Sequence, residues 1–204
     1  MIYNEEKKEI ISKRELNDLD KFALEFTDII KKYADYVIVS GYVSILLGRS
    51  RATEDIDLLI PSIKLVNFIL LWDDLKKSGF ECINTSNPQK AFNMLEEHAI
   101  RFFKGVPIPN IELKIIKNDL DKYSYENKIK VILGEKILFI SPLELQIAYK
   151  LFLAAEGPEA ELQSDKDIED AKHLYTIFKE EINKEELLYF SKKLNVEGKL
   201  RLLK

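Results

Sequence analysis

The sequence predicts an α/β fold of the α+β kind, with a mixed sheet flanked by helices and followed by a C-terminal helical subdomain. Over residues 1–140, short apolar and β-branched runs alternate with amphipathic stretches, which indicates strands alternating with helices. From Ser141 onward the apolar spacing is helical. We therefore expect an α/β domain at 1–140, a helical subdomain at 141–204, and a functional cleft between them.

The composition is that of an ordinary globular protein. The chain has 204 residues, of which 46% are hydrophobic and 32% charged, and its net charge is −4. A global positive field for nucleic acid is therefore excluded, and any RNA contact requires a local patch. The lone Cys82 excludes an intramolecular disulfide and cysteine-rich zinc sites. With no apolar run of membrane-spanning length and no signal-peptide core at the N-terminus, we expect a cytoplasmic protein without membrane contacts.

The first elements lead directly to a small turn. Glu15–Tyr33 has the apolar spacing of an N-terminal amphipathic helix, and Tyr36–Val39 that of a buried strand. Ser40-Gly41 ends this strand, and a helix at Tyr42–Leu47 closes at Gly48. Further elements of the α/β domain are predicted at Asp55–Ile60, Phe80–Ile83, Ala99–Phe103, Ile111–Ile116, Ile129–Leu133 and Lys136–Ile140 (strands), Ile63–Lys77 and Pro88–Glu97 (helices), and Asp119–Asn127 (a helical turn or loop).

Turn-forming residues separate these elements. The GVPIPN segment at 105–110 predicts a proline-rich turn between two strands, and Gly134-Glu135 predicts a hairpin. The helical third is expected to contain helices at Pro142–Ala155, Asp165–Lys179 and Lys184–Leu194, with Gly157-Pro158 in an exposed loop.

Two acidic residues on one predicted strand provide the main chemical signal. Asp55 and Asp57 are two residues apart, so their carboxylates share a face, whereas Ile56 and Leu58 point to the core. Adjacent carboxylates repel each other unless a cation lies between them, and Mg²⁺ prefers oxygen ligands while leaving positions for phosphates. The alternative is a surface strand whose acids face water.

The residues before this strand have the chemistry of a phosphate site. Small residues at Ser40-Gly41 would let backbone N–H groups approach a phosphate closely, and Arg49 and Arg51 offer guanidinium groups suited to phosphate oxygens. The Thr53 hydroxyl can brace the turn. Alternatively, the turn is an ordinary strand-to-helix connection, and the arginines are loop charges or pair with the nearby acids Glu54 and Asp55.

The order of small turn, helix and Gly-x-x-Arg-x-Thr-x-Asp-Ile-Asp, ending at Asp57, resembles the nucleotidyltransferase superfamily of the DNA polymerase β type. It is most similar to the branch with AbiEii-like toxins, where the turn is usually Gly-Gly and Ser40 stands at the first glycine. The resemblance implies that the α/β domain is the nucleotidyltransferase domain. It also implies that Ser40, Gly41, Arg49, Arg51 and Thr53 bind the nucleotide, and that Asp55 and Asp57 bind metal.

Later segments extend the resemblance. Ser141–Lys150 and the Lys-Asp-x-x-Asp pattern at 166–170 resemble helices that follow the sheet in that family. The resemblance implies that Lys150 neutralises phosphate charge and that Asp167 or Asp170 positions the acceptor or acts as a base. Alternatively, Lys150 extends to solvent along an apolar helix and the two acids are solvated or cap their helix.

The family's third carboxylate lies on a strand expected to run antiparallel to the first pair. Glu112, a lone acid in an apolar strand, is the candidate for this catalytic and metal-binding position. It is longer than the usual aspartate, and the alternative is an exposed residue neutralised by Lys114 on the same face.

The resemblance implies transfer of a nucleoside monophosphate from an NTP to an acceptor hydroxyl, with Mg²⁺ or Mn²⁺ as cofactor. The implied acceptor is a tRNA end or a protein side chain, and the protein could be a toxin–antitoxin component with a cognate antitoxin. The alternative is a non-catalytic nucleotide-binding or regulatory protein that keeps the fold. No Walker-type loop, HExxH motif or nucleophile elbow is present in the sequence.

Overall fold

The structure, a computed structural model, describes residues 1–154 and 166–203. The strands of these residues are β1 Ile2–Asn4, β2 Glu9–Ser12, β3 Val37–Val39, β4 Asp55–Ile60, β5 Phe80–Cys82, β6 Ile100–Lys104, β7 Val106–Ile115, β8 Ile129–Leu133 and β9 Lys136–Ile140. The helices are α1 Asp18–Ile30, α2 Gly41–Leu46, α3 Leu65–Lys77, α4 Pro88–Glu97, α5 Asp119–Glu126, α6 Leu143–Leu153, α7 Lys166–Ile177 and α8 Lys184–Lys193, followed by a 3₁₀ helix at Glu197–Leu203. The predicted Gly157-Pro158 loop lies outside the described residues.

The strands form one mixed sheet in the order β1-β2-β8-β9-β3-β4-β7-β6-β5. At its centre, β3 runs antiparallel to β4, whereas β4 and β7 run parallel. The expectation that the strand carrying Glu112 would run antiparallel to the strand of Asp55 and Asp57 is therefore wrong. The α3, β5, α4 and β6 segments together form the crossover that returns the chain in the same direction.

One face of the central sheet is apolar and covered by helices α1 and α3. Ile56 and Leu58 are fully buried on this face, and Phe102 of β6 extends it. The Phe26 ring of α1 and the Trp72 ring of α3 both pack against Phe102, with ring centroids 5.6 and 5.7 Å away. Strand alternation therefore directs Asp57 and Glu112 to the opposite face, towards α5 and α6.

A buried polar network fixes α1 against α2. Asn17 and Asp20 form a capping box, in which each side chain accepts a hydrogen bond from the other residue's backbone N–H. The fully buried Asp20 carboxylate also accepts a hydrogen bond from the Tyr42 hydroxyl at 2.7 Å and pairs with Arg14 at 2.5 Å. This network holds in place the helix that follows the Ser40-Gly41 turn.

Two parts of the α/β region differ from the sequence predictions. The N-terminal residues form the hairpin β1–β2, in which β2 pairs in parallel with β8. The GVPIPN segment is mostly strand, because β7 begins at Val106 and only Gly105, with φ of +74°, makes the turn. Asp119–Glu126 is a regular helix capped by the Asn118 side chain. The remaining predicted elements in the described residues are present, with small shifts of their ends.

The C-terminal helices α7 and α8 both pack on α6, and the three share one continuous hydrophobic core with the sheet. α7 also contacts α2, so the helical third reaches the loop between α2 and β4. Among the described residues, the helices are too short or too polar to cross a bilayer.

Candidate active site

The acidic face of β4 meets a lysine of β7. In the parallel register, Asp57 lies opposite Glu112 and Leu59 lies opposite Lys114. The Lys114 Nζ atom is 2.7 Å from Asp57 Oδ1 and 3.0 Å from Glu112 Oε1. Arg101 of β6 donates to the other oxygen, Glu112 Oε2, at 3.0 Å. Glu112 thus lies beside Asp57, as a metal-site carboxylate should, but each of its oxygens is bound to a cation.

The two carboxylates have different electrostatic environments. Burial raises the pKa of Asp57, Asp55 and Glu112 add to this effect, and Lys114 only partly opposes it. Burial also acts to raise the pKa of Glu112, but its hydrogen bonds to Lys114 and Arg101 hold that pKa below the usual value. The pKa of Lys114 is raised, because the attraction of Asp57 and Glu112 outweighs its desolvation. Asp57 is therefore the carboxylate with too little positive charge around it.

The donor set tests whether a divalent ion fits this face. Asp55 and Asp57 offer carboxylate oxygens on one face of β4, the ligand type that Mg²⁺ and Mn²⁺ prefer. Within residues 1–154 and 166–203, the Asp55 carboxylate has no ion-pair partner, and three acids, histidines or cysteines do not converge on one point. The oxygens of Asp55 and Asp57 are thus of the type that binds a divalent ion, whereas the Glu112 oxygens are already bound by Lys114 and Arg101.

The Ser40-Gly41 turn has an unusual backbone conformation and a side-chain partner. Ser40 has φ of 65° and ψ of −138°, a region that glycine adopts readily and serine does not. Its N–H donates to Gln146 Oε1 at 3.1 Å, and its carbonyl accepts from Gln146 Nε2 at 2.6 Å. The Ser40 N–H group, predicted to be available for phosphate, is thus bonded to helix α6.

The predicted arginines and the C-terminal charged residues form a separate cluster. Arg51 donates from Nε and Nη2 to the two Asp170 oxygens, at 2.9 and 2.7 Å, and Arg49 Nε lies 2.8 Å from Asp170 Oδ1. The Lys150 ammonium lies 2.6 Å from Asp167 and 2.9 Å from Asp170. Lys150 is 2% exposed and Asp170 fully buried, so neither follows the alternative of a solvated side chain. The arginines pair with α7 rather than with Glu54 or Asp55.

Two smaller residues connect this cluster to the turn and to β4. A Cβ atom at Gly41 would lie 2.6 Å from Arg51 Nη2, closer than non-bonded atoms approach, so the guanidinium of Arg51 packs directly on Gly41. The Thr53 hydroxyl donates to the Asp55 carbonyl at 3.0 Å, so it braces the start of β4.

A cavity of about 520 Å³ opens beside the acidic face. It is lined by Ser40 of the turn, by Asp57 and Lys114 of the sheet, and by Gln146 and Tyr149 of α6. This volume lies within the range of about 300–1,000 Å³ that is typical of ligand pockets. Of the ten predicted site residues, Ser40 and Asp57 line this cavity, and the other eight do not: Gly41, Arg49, Arg51, Thr53, Asp55, Glu112, Lys150 and Asp167.

Comparison with known proteins identifies the fold. No protein-family model matches the chain, and no curated protein sequence matches it. Among solved structures, ANT(2'')-Ia in complex with adenylyl-2''-tobramycin superposes with a TM-score of 0.57 at 13% identity, covering 87% of this chain and 97% of that one. The solution structure of the same antibiotic-resistance factor gives 0.54 at 14% identity over 89% and 96% of the two chains. A nucleotidyltransferase-like antigenic protein from Paracoccidioides brasiliensis gives 0.51 at 16% over 90% and 91%.

The chain has the nucleotidyltransferase fold. The comparisons confirm the predicted fold, and membership of the superfamily stays a prediction. The AbiEii-like branch stays a prediction.

Within the nucleotidyltransferase fold, the sequence did not single out three residues of the site. Lys114 was considered only as a neutraliser of Glu112, yet it also binds Asp57. Arg101 gave no local signal, because its partner lies on the next strand. Gln146 lies within the segment that resembles the superfamily, and its tie to Ser40 depends on the parallel pairing of Ile38 with Ile140, which brings the start of α6 to the turn.

Proposed function

We propose that this protein transfers a nucleoside monophosphate from an NTP to an acceptor hydroxyl. The observation that carries the proposal is the Asp55–Asp57 pair on the open face of β4, where Asp57 and Ser40 line the same cavity. The architecture shared with nucleotidyltransferases supports it, because that fold is known for this reaction class, although fold alone does not establish an activity.

Asp55 and Asp57 are the proposed ligands of a divalent ion, Mg²⁺ or Mn²⁺. When bound, this ion would neutralise triphosphate charge and favour attack on the α-phosphorus. The raised pKa of Asp57 fits this role, because burial without sufficient positive charge leaves the carboxylate ready for a cation. Thr53 holds the start of the strand through its bond to the Asp55 carbonyl.

In the proposed reaction, the acceptor oxygen forms a bond to the α-phosphorus. The bond from that phosphorus to the bridging oxygen breaks, and pyrophosphate leaves with the electron pair. The acceptor hydroxyl gives up its proton to solvent water, since both oxygens of Glu112 are already bound by Lys114 and Arg101. In the metal-free protein, Lys114 holds Asp57 and Glu112 together, since its ammonium contacts both.

The buried charge cluster has a positioning role in this proposal. Asp170 binds Arg49 and Arg51 from one side and Lys150 from the other. Because Arg51 packs on Gly41, the cluster would set the position of the turn relative to the helices. Nucleotide contacts by Arg49 and Arg51, and phosphate neutralisation by Lys150, would require these ion pairs to rearrange.

The acceptor is a tRNA end, a protein side chain or a small hydroxyl compound. The last class is included because ANT(2'')-Ia was solved with adenylyl-2''-tobramycin. The resemblance to AbiEii-like toxins extends the proposal to a toxin–antitoxin component with a cognate antitoxin, acting in the cytoplasm where NTPs and tRNA are found.

The test is transfer of label from each α-³²P-labelled NTP to total RNA, protein or a small-molecule extract. Wild type should label one fraction in the presence of Mg²⁺, and Asp57→Asn should abolish the label while keeping the fold. Asp73→Asn removes a carboxylate from the exposed surface of α3 and should label as wild type does. Labelling that persists in Asp57→Asn would contradict the proposal.

A second candidate is a non-catalytic nucleotide-binding protein, favoured by the contact of Lys114 with both Asp57 and Glu112. The Lys114 ammonium neutralises part of the negative charge of these two carboxylates in the absence of a metal ion. This candidate predicts saturable NTP binding with no label transferred to any fraction.

A further inference from the structure

Ser40 has a backbone conformation that is unfavourable for a residue with a Cβ atom. Its φ of 65° lies in the region that disfavours residues with a Cβ atom. Such strain persists only where the surroundings impose it, and it concentrates at functional sites. In this turn, the group that imposes it is the side chain of Gln146.

The Gln146 amide binds both backbone groups of Ser40. Its Oε1 accepts from the Ser40 N–H at 3.1 Å, and its Nε2 donates to the Ser40 carbonyl at 2.6 Å. The Ser141 hydroxyl donates to the same Oε1 at 3.1 Å. If the amide were flipped, its NH₂ group would face the Ser40 N–H and the Ser141 hydroxyl, which are both donors. These partners therefore define the orientation of the amide. Gln146 and Ser141 are 2% and 1% exposed, which makes these bonds poorly replaceable by water.

The two hydrogen bonds from the Gln146 amide to the Ser40 backbone, here called the clamp, are anchored to the sheet. The Ser141 N–H donates to the Ile38 carbonyl at 2.9 Å, and Ile38 pairs in parallel with Ile140. The start of α6 is thus fixed beside the end of β3, and Gln146 reaches from the first turns of that helix to Ser40. Ser40 and Gln146 both line the cavity beside Asp57.

We propose that Gln146 is a positioning residue that keeps the Ser40-Gly41 turn in the shape required to receive the triphosphate. This inference rests on the proposed function and deepens it, because it names what maintains the phosphate end of the site. Without the amide, Ser40 relaxes out of positive φ and the wall of the cavity changes. A glycine at position 40 keeps that φ without help.

The test is a double-mutant cycle of Gln146→Leu in the wild-type and Ser40→Gly backgrounds. The probe is magnesium tripolyphosphate, titrated by calorimetry, because it carries the phosphates common to all NTPs. Gln146→Leu should weaken binding by about tenfold with Ser40, the factor expected when a strained backbone is released. In the Ser40→Gly background the same substitution should weaken binding by less than about twofold, because glycine adopts positive φ without strain.

Thermal unfolding separates positioning from a merely structural role. Leucine removes the partner of the same two backbone groups in both backgrounds, but relaxation relieves strain at Ser40 alone. The unfolding temperature should therefore fall no more in the wild-type background than in the Ser40→Gly background, although the affinity falls more. Ile10→Ala alters a fully buried residue of β2, which β8 and β9 separate from β3 in the sheet, and should lower the unfolding temperature and leave the affinity unchanged. Equal loss of affinity in both backgrounds would overturn the inference.

A second readout does not depend on nucleotide chemistry. The φ of residue 40, measured by NMR, should leave the positive region in Gln146→Leu and stay positive in the double variant Ser40→Gly/Gln146→Leu. If wild type binds no magnesium tripolyphosphate, the proposed function fails, and this measurement alone decides the clamp. A positive φ that persists in Gln146→Leu contradicts it.

Discussion

The ammonium nitrogen of Lys114 lies 2.7 Å from Asp57 Oδ1, on the sheet face that carries Asp55. It also lies 3.0 Å from Glu112, so one side chain neutralises carboxylates of two adjacent strands. This arrangement follows from the parallel register of β4 and β7, in which Asp57 lies opposite Glu112. Lys114 is two residues after Glu112 on β7 and therefore lies on the same face of the sheet. A lysine at this position competes with a divalent ion for Asp57.

Lys114→Met should therefore increase the affinity for Mn²⁺ and reduce stability without metal. The methionine keeps the length of the side chain but removes the charge, leaving Asp57 and Glu112 to repel each other. Because the Lys114 side chain is 37% exposed, we expect a loss of about 1–3 kcal/mol, below the range for fully buried pairs. Urea unfolding in EDTA and calorimetric titration with Mn²⁺ measure the two effects. Unchanged Mn²⁺ affinity would contradict the competition.

Asp57→Asn should stabilise the metal-free protein at neutral pH. Burial raises the pKa of Asp57, so the protonated form favours folding below the unfolded-state pKa, and this contribution is lost as pH rises through the folded-state pKa. At neutral pH the buried, ionised carboxylate lowers the free energy of unfolding, and asparagine removes this effect because it carries no charge. We expect a gain of about 0.5–2 kcal/mol, typical of relieving an active-site compromise.

The measurement is urea unfolding of both proteins in EDTA across neutral and acidic pH. The advantage of Asp57→Asn should shrink as pH falls and Asp57 becomes protonated in the wild type. Reduced stability of the variant at neutral pH would show that the bond to Lys114 outweighs desolvation.

The sequence allowed prediction of the β4 face because alternation is local. Asp55 and Asp57 share a face by strand geometry alone, and the apolar Ile56 and Leu58 define the opposite side. The partners of these residues could not be predicted, because strand order and direction are long-range properties. A parallel β7 places Lys114 beside Asp57, and a register slip of one residue would have directed it to the core.

The roles of the charged residues were harder to predict for the same reason. Arg51 and Asp170 are 119 residues apart in sequence, and neither segment indicates the other. The β1–β2 hairpin was missed because its strands are short and β2 depends on pairing with β8. The GVPIPN segment was predicted as a turn from its prolines, yet Val106 and Asn110 pair with β6, and Asn110 also pairs with β4, so both ends of the strand segment are extended.

Asp170→Asn should destabilise the protein strongly at neutral pH. The fully buried carboxylate binds Arg49, Arg51 and Lys150, and its replacement leaves buried cations with too little negative charge. We expect a loss of about 3–5 kcal/mol, the range for breaking a buried ion pair. Lys172→Met, which removes the partner of Glu169 on the same helix at the surface, should change stability by less than about 1 kcal/mol.

The same cluster predicts part of the acid unfolding. Burial opposes ionisation, but the bonds to Arg51 and Lys150 lower the pKa of Asp170 overall. Its stabilisation is thus fully present above the unfolded-state pKa of about 3.9 and is lost as pH falls through the lower folded-state pKa. The unfolding free energy of Asp170→Asn, followed from neutral to acidic pH, should fall less steeply than that of wild type. Parallel curves would assign the acid sensitivity to other carboxylates.

Gly41→Ala should be harmful only while Arg51 is present. The added Cβ would lie 2.6 Å from Arg51 Nη2, the nitrogen that donates to Asp170 at 2.7 Å. The backbone itself tolerates alanine, since Gly41 begins helix α2 and alanine favours helix formation. We therefore expect Gly41→Ala to cost about 1–2 kcal/mol in the wild type, by displacing the guanidinium from a buried carboxylate.

In an Arg51→Ala background the same change should be neutral or stabilising, so the two substitutions should be coupled by about 1 kcal/mol or more in a urea-unfolding cycle. Additive effects would mean that the contact between Gly41 and Arg51 does not constrain the turn.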